Sequence, residues 1–265
     1  MKPTALLFQH YHEWFIRYAN RYIEQASEQD RPGFALKLTH TLNVVKESLW
    51  LAGHSQFSDA DQHLSGIIAL LHDVGRFPQF EQYHTFNDRL SCNHAAASLS
   101  VIRKHALLAN LTPAEQQLVR TAVVWHNQKD LPAALPARLF QFAGLVRDAD
   151  KLDIFRTLLA EYATQDRTRI LTVDLDLPDG EDCSPGLLQT IAAGRMGDAR
   201  DVHSRVDLHL IRLSWVFAFH NPVALRRFNE HAYLEQYRPY LPVTASIEKA
   251  LQLLQSHVDQ ALKTA

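Results

Sequence analysis

Apolar residues recur along most of the chain at intervals of three and four, which is the spacing of one face of an α-helix. Near the C-terminus one such face is formed by Ile247, Leu251, Leu254, Val258 and Leu262. Alternation with a period of two is rare. The pattern predicts helices over residues 5–28, 34–52, 59–73, 91–109, 113–128, 137–164, 186–195, 203–219, 222–236 and 244–263.

Local signals support several of the predicted helix starts. Thr112 is followed by a proline and then by Glu115, the arrangement of a capping box with proline at the first helical position. Ser184-Pro185 and Asn221-Pro222 are similar starts. The stretch "ILTVDLDLPDG" (170–180) alternates instead, and it predicts a short hairpin or an extended excursion. We therefore expect one all-α domain with a C-terminal helical extension.

Composition and charge narrow the class of protein. The chain has 265 residues, of which 46% are hydrophobic and 21% charged, as in a globular protein with a real core. A formal charge of −2 gives no electrostatic argument for a nucleic acid or an anionic membrane as partner. A small anionic ligand needs only a few local Lys and Arg, so it stays open, as does assembly into a homo-oligomer.

The expected compartment is the cytoplasm. Cys92 and Cys183 are the two cysteines, too few for a disulfide framework. The opening stretch "MKPTALLFQHYHEWF" has four apolar residues in a row, fewer than a signal peptide needs. No apolar stretch approaches the roughly 18 residues of a membrane helix.

The candidate chemistry lies in histidines and aspartates at or near the buried faces of predicted helices. A His-Asp pair such as that in "LLHDVGR" (70–76) is expected by chance in a chain with 15 histidines, so the dipeptide alone decides nothing. The full set, however, lies on several separate helical segments, which is how helical bundles build metal sites. Its members are His40, His72, Asp73, His94, His126, Asp148 and Asp150.

In this order the residues resemble the HD-domain superfamily of metal-dependent phosphohydrolases. The family has a His, a His-Asp pair and a distant Asp, with two further His between them in dinuclear members. "DADKLDIF" (148–155) is close to the closing motif of nucleotide-cleaving members, in which the aspartate directly before the lysine is the ligand. The resemblance covers about residues 34–156 and implies a metal-site core there, with residues 157–265 as the extension of a single HD-type domain.

The resemblance implies six metal ligands, which are His40, His72, Asp73, His94, His126 and Asp150. Imidazole and carboxylate ligands together suit Mn, Fe, Zn, Co or Ni better than Ca or Mg, and one or two ions per chain are expected. His94 and His126 would either bind the second ion or serve as proton donors and phosphate contacts. Asp148 is expected to orient a ligand histidine or to be a surface charge, and Asp153 to anchor Lys151 or to face solvent.

The segment "GRFPQFEQYHTF" (75–86) follows the His-Asp pair and is predicted to be a pocket loop. Gly75 would cap the preceding helix. Arg76 and His84 could meet phosphate, although Arg76 could equally be a charge favoured at a helix end. The aromatic residues of this segment are expected to lie in the core or to stack on a base; they are Phe77, Phe80, Tyr83 and Phe86.

Together these features predict a hydrolase of phosphomonoesters or phosphoanhydrides, with a nucleotide as the preferred small phosphorylated substrate. A divalent ion lowers the pKa of water toward ~7. Lys151 and Arg76 would neutralise phosphate charge, and His84 or His94 would protonate the leaving oxygen. The alternative is a di-iron oxygenase of the same superfamily, which shares the ligand order and acts on a small polar substrate. A metal-binding regulator without catalysis is disfavoured because no ligand is missing.

Overall fold

The computed structural model describes residues 4–164 and 177–264, and this part of the chain is built from helices without a strand, which confirms the all-α prediction. The α-helices are α1 (Thr4–Gln25), α2 (Arg31–Gly53), α3 (Asp59–Leu71), α4 (Arg76–Tyr83), α5 (His94–Lys104), α6 (Pro113–Trp125), α7 (Ala137–Ala163), α8 (Pro185–Ala192), α9 (Arg205–Leu213), α10 (Pro222–Glu230), α11 (Tyr233–Tyr237) and α12 (Ala245–Thr264). Short 3₁₀ segments cover Ala199–Asp201, Ser214–Ala218 and Arg238–Tyr240.

The chain divides into two compact units, Met1–Asp153 and Ile154–Ala265. The division falls inside α7. The six predicted ligands all lie in the first unit. That the chain works as a single HD-type domain with an extension stays a prediction.

An aromatic cluster forms part of the core of the first unit. Phe77 of α4 is fully buried, and its ring lies 5.5 Å from the rings of Tyr18 and Tyr22 of α1 and 6.2 Å from Phe34 of α2, measured between centroids. The hydroxyl of Tyr18 donates a hydrogen bond to the Val74 carbonyl at 3.1 Å. The turn that carries the His-Asp pair is therefore anchored to α1 and α2 on the side facing the core.

The predicted pocket loop at 75–86 is wrong in its first part, because residues Arg76–Tyr83 form α4. Pro78 lies in the first turn of this helix, where proline is tolerated because the N–H has no helical partner. Phe77 and Phe80, three residues apart, give the helix one apolar face. The segment between α4 and α5 (84–93) is irregular and forms the loop that the sequence placed too early.

Gly75 does not cap the preceding helix, which is a second correction. Helix α3 ends at Leu71 with His72 at its C-cap, whereas Gly75 precedes α4 with an ordinary φ of −70°. Its role is close approach: a Cβ built on Gly75 would lie 2.2 Å from the Ser98 backbone nitrogen and 2.6 Å from the His94 carbonyl oxygen. A glycine at this position lets α5 pack directly against the turn of the His-Asp pair.

The other local predictions are mostly confirmed. Thr112 and Glu115 form the capping box of α6, and helices begin at Pro185 and Pro222. The predicted hairpin at 170–180 falls largely on residues outside the described part of the chain. In the second unit, Phe155 is fully buried among aromatic rings that include Phe228 at 5.0 Å and Tyr233 at 5.3 Å. Among the described helices, none combines the length and apolar character needed to cross a lipid bilayer.

Candidate metal centre

Five helical segments bring the six predicted ligands together. His40 lies in the middle of α2, His72 and Asp73 follow α3 directly, and His94 opens α5. His126 stands at the C-cap of α6, and Asp150 lies inside α7. Five of the six residues are buried, and the Asp150 side chain is 18% exposed.

His40, His72 and Asp73, which we call triplet A, have their ligand atoms within 4.8 Å of one another. The Asp73 Oδ2 atom is 3.8 Å from the Nε2 atoms of both histidines. Asp150 joins this group, since its Oδ1 atom is 3.1 Å from His40 Nε2 and 3.9 Å from His72 Nε2. The preference for Asp150 as the aspartate that faces the histidines is consistent with these distances.

Asp73, His94 and His126 form a second group, triplet B. The other oxygen of Asp73, Oδ1, is 3.5 Å from His94 Nε2 and 3.6 Å from His126 Nε2. Asp73 thus presents one carboxylate oxygen to each triplet. A carboxylate in this position can bridge two ions.

The rings of all four histidines are held so that Nε2 faces the centre. The Nδ1 atoms of His72 and His126 lie 2.6 and 2.7 Å from the carbonyl oxygens of Ala69 and Val123. Carbonyl oxygens only accept, so these Nδ1 atoms carry the proton and each neutral ring keeps its lone pair on Nε2. Carboxylates do the same for the other two rings, at 2.7 Å from His40 Nδ1 (Asp153) and 2.6 Å from His94 Nδ1 (Asp88).

The donor set fits a divalent ion. Within the described residues, the buried atoms His72 Nε2 and Asp73 Oδ1 have no hydrogen-bond partner, which is costly unless a ligand satisfies them. Around an ion with bonds of about 2.1 Å, neighbouring ligand atoms lie roughly 3.0–3.4 Å apart, close to the separations of 2.9–3.9 Å in the two groups. Nitrogen and oxygen donors together favour Mn, Fe, Zn, Co or Ni.

The protonation states of His72, Asp73 and Asp150 agree with metal binding. Burial lowers the pKa of His72 to about 4, so its ring is neutral near pH 7. Burial raises the pKa of Asp73, but the positive charge of Lys37, helped by Arg76, outweighs it and holds that pKa well below its usual range. Burial acts in the same way on Asp150, where the interaction with His40 outweighs it and lowers the pKa. Neutral imidazole and ionised carboxylate are the forms that bind metal.

Lys37 is a residue at this centre that the sequence analysis missed. Its ammonium donates to Asp73 Oδ2 at 3.0 Å and lies 5.2 Å from the centre of the Phe86 ring. Lys37 precedes His40 by three residues on α2, so the two share a helix face. This spacing of three residues from a predicted ligand could have identified Lys37 from the sequence.

Arg76 lies beside triplet B but is held by the chain itself. One guanidinium nitrogen, Nη1, donates to Asp88 at 2.8 Å, to the Phe86 carbonyl at 2.6 Å and to Gln79 at 2.9 Å. Its Nε atom is 3.5 Å from Asp73 Oδ1. Arg76 therefore places positive charge near the shared carboxylate, while its Nη1 group is bound to α4 and to the loop that follows.

Three further aspartates lie near the centre, and the structure corrects or extends what the sequence predicted for them. Asp153 does not face solvent, since it is 1% exposed. Its carboxylate accepts a hydrogen bond from His40 Nδ1. Asp88, in the loop before α5, was not singled out at all, because no spacing rule links a loop aspartate to His94. Asp148 is fully buried, which excludes a surface charge.

Lys151 follows Asp150 on α7 and is 9% exposed. Burial lowers the pKa of Lys151 to about 8, although the charge of Asp148 opposes the shift. Among the described residues, no hydrogen bond or ion pair of its ammonium is seen. Its predicted contact with phosphate stays a prediction.

His84 is not joined to the cluster. Its side chain is 64% exposed, and its Nδ1 atom is 3.0 Å from Asp30. In the described part of the chain, no hydrogen bond, ion pair or ring contact links His84 to the six predicted ligands. His94 and His126, in contrast, lie in the centre itself.

Comparison with known proteins gives one match. The family model of the HD domain matches residues 38–154, which include all six predicted ligands. No curated protein and no solved structure matches the chain. The HD domain implies a superfamily of metal-dependent hydrolase type, and its members are mostly metal-dependent phosphohydrolases. Because the matched segment contains both triplets, the resemblance to the HD-domain superfamily predicted from the sequence is confirmed over residues 38–154.

Proposed function

We propose that this protein is a metal-dependent phosphohydrolase that cleaves a phosphomonoester or phosphoanhydride, with a nucleotide as the preferred substrate. The reaction is hydrolysis: water adds to phosphorus, the P–O bond to the leaving group breaks, and the leaving oxygen takes a proton.

The observation that carries the proposal is the position of Asp73 between triplets A and B. One oxygen lies 3.8 Å from His40 and His72 Nε2, and the other lies 3.5–3.6 Å from His94 and His126 Nε2. This arrangement supports two divalent ions that share one carboxylate. Two such ions flanking a phosphoryl group suit an in-line displacement at phosphorus.

The charges around the centre favour an anionic substrate. Lys37 hydrogen-bonds Asp73, and the guanidinium of Arg76 lies within 3.5 Å of the same carboxylate. Lys151, beside Asp150, adds a third cation. Three cations beside a few carboxylates leave positive charge for phosphate oxygens once ions are bound.

The chain's own residues would divide the work as follows. The ions would be held by Asp73, Asp150 and the four histidines. When bound, they would lower the pKa of water toward ~7 and withdraw charge from a phosphoryl oxygen. Lys37 and Lys151 bind and orient phosphate oxygens as point charges. Phe86, half-buried under Lys37, limits the movement of that side chain. His84 was predicted to be a proton donor, but among the described residues no contact joins it to the six predicted ligands.

Phosphate release tests the proposal. The purified chain, loaded with Mn²⁺, Co²⁺ or Ni²⁺, would be assayed against nucleoside mono-, di- and triphosphates and a set of sugar phosphates. We expect metal-dependent release from at least one nucleotide. A chain that binds metal but releases phosphate from none of these compounds would contradict the proposal. Release from sugar phosphates alone would retain the reaction and reject the nucleotide.

A further inference from the structure

The two nitrogens of the His94 ring have different neighbours. Nδ1 lies 2.6 Å from Asp88 Oδ2, whereas Nε2 faces triplet B, 3.5 Å from Asp73 Oδ1. Arg76 Nη2 is 3.3 Å from the same Nε2 atom. An ionised carboxylate only accepts and a guanidinium only donates. Asp88 and Arg76 therefore select the tautomer that carries its proton on Nδ1 and a lone pair on Nε2, although His126 Nε2, at 2.9 Å, faces that lone pair with its own.

Asp88 is itself fixed by buried donors. Its Oδ1 atom accepts from Arg76 Nη1 at 2.8 Å and from Gln79 Nε2 at 3.0 Å. Its Oδ2 atom is left for the His94 ring and the His94 backbone N–H, at 2.6 and 3.3 Å. These contacts hold the carboxylate in one orientation.

Gln79 ties this arrangement to the loop before α5. The side chain is 1% exposed, and its amide nitrogen also lies 2.8 Å from Ser91 Oγ and 3.0 Å from the Cys92 carbonyl. Its amide oxygen accepts from Arg76 at 2.9 Å. Hydrogen bonds from α4 therefore hold the loop both before Asp88, at Phe86, and after it, at Ser91 and Cys92.

His94 differs from the other three histidines in how its ring is set. His72 and His126 use carbonyls three residues earlier in the chain, and His40 uses Asp153, whose side chain is fully buried. Asp88 is 29% exposed at its side chain and lies in a loop. The tautomer of His94 therefore depends on a side chain that can be replaced without opening the core.

We propose that Asp88 is a positioning residue that keeps His94 in the Nδ1–H tautomer and thereby completes triplet B for a second metal ion. The second half of this statement rests on the metal centre of the proposed function. Asp88 need not touch the substrate or the ion. It acts through the ring of His94, as carboxylates behind ligand histidines commonly do.

The substitution Asp88→Asn gives a sharp test, because the geometry dictates how an asparagine would sit. Arg76 and Gln79 both donate to the Oδ1 position, so the amide oxygen of the asparagine must face them. Its NH₂ group then faces His94 Nδ1, which must accept. The proton moves to Nε2, and a protonated Nε2 cannot bind an ion.

Nitrogen-15 NMR of the imidazole groups in chelator-treated protein reads the tautomer directly, without metal or substrate. We expect the parent to show His94 protonated on Nδ1 and Asp88→Asn to show it protonated on Nε2, with His94→Ala identifying the signals. Asp153→Asn is the matched control, since it should change the His40 signals and leave those of His94 alone. An unchanged His94 tautomer in Asp88→Asn would overturn the proposal.

Metal binding tests the second half. In dialysis against Mn²⁺ we expect two ions per parent chain and a ten- to hundredfold weaker affinity for one of them in Asp88→Asn, the usual effect of removing such a partner. Two ions at parental affinity in Asp88→Asn would overturn the proposal. If the parent binds fewer than two ions, triplet B of the proposed function fails, and the NMR measurement still decides whether Asp88 sets the His94 tautomer.

Discussion

The Nε2 atoms of His94 and His126 lie 2.9 Å apart. Because acceptors hold the Nδ1 proton on both rings, two lone pairs face each other across this gap when both rings are neutral. Such a contact is repulsive unless a cation lies between the nitrogens or one of them takes up a proton. The facing nitrogens therefore favour binding of a cation in triplet B.

Metal removal should lower stability, because ions bind the folded chain and satisfy its buried lone pairs. At a free metal concentration one hundred times the Kd, a single ion adds about 2.7 kcal/mol. We expect a chelator to lower the Tm and added Mn²⁺ to restore it. A Tm that does not respond to the chelator would show that the buried His and Asp are a structural hydrogen-bond network alone.

Asp73 should matter more for metal content than any single histidine, since both triplets use it. We expect Asp73→Asn to reduce the Mn²⁺ content of the chain to near zero and His94→Ala to reduce it from two ions toward one. Circular dichroism should show an unchanged helical content in both. If Asp73→Asn still bound two Mn²⁺ ions per chain, Asp73 would not be the carboxylate that both triplets share.

Lys151 should affect catalysis without affecting metal content. We expect Lys151→Met, which keeps the apolar stem, to lose a few kcal/mol of transition-state stabilisation, or roughly a hundredfold in rate at ~1.4 kcal/mol per factor of ten. Lys46→Met is the control, because Lys46 is an exposed lysine on α2 that hydrogen-bonds Asn43. A Lys151→Met enzyme as fast as the Lys46→Met enzyme would remove Lys151 from the phosphate site.

Gly75 should be intolerant of a side chain. A Cβ there would meet backbone atoms of α5, at 2.2 Å in the case of Ser98 N, so we expect Gly75→Ala to cost about 1–3 kcal/mol or more of unfolding free energy. Gly53 at the end of α2 offers the matched control, since its Cβ would be 3.7 Å from the nearest atom. Gly53→Ala should be neutral or slightly stabilising. Urea denaturation of the three metal-free proteins measures the difference.

The helical period and the order of His and Asp residues predicted the architecture and the set of six residues that meet at the centre. Helix α4 was not predicted, because the segment was interpreted as a pocket loop following the His-Asp pair, although Phe77 and Phe80 have the spacing of one helix face. Asp153 could have been assigned from its spacing of three from Asp150, which puts both on one face of α7. Asp88 could not, because a loop brings it to His94 and no periodicity records where a loop folds back.

Phosphate release in the absence of oxygen tests the central claim most directly. The chain, loaded with Mn²⁺ or with Fe²⁺, would be incubated with the best nucleotide substrate under anaerobic and aerobic conditions, with Asp73→Asn as the control that keeps the fold. We predict equal rates with and without O₂ and no release by Asp73→Asn. Turnover that requires iron and O₂ would contradict the account and assign the centre to oxygenase chemistry.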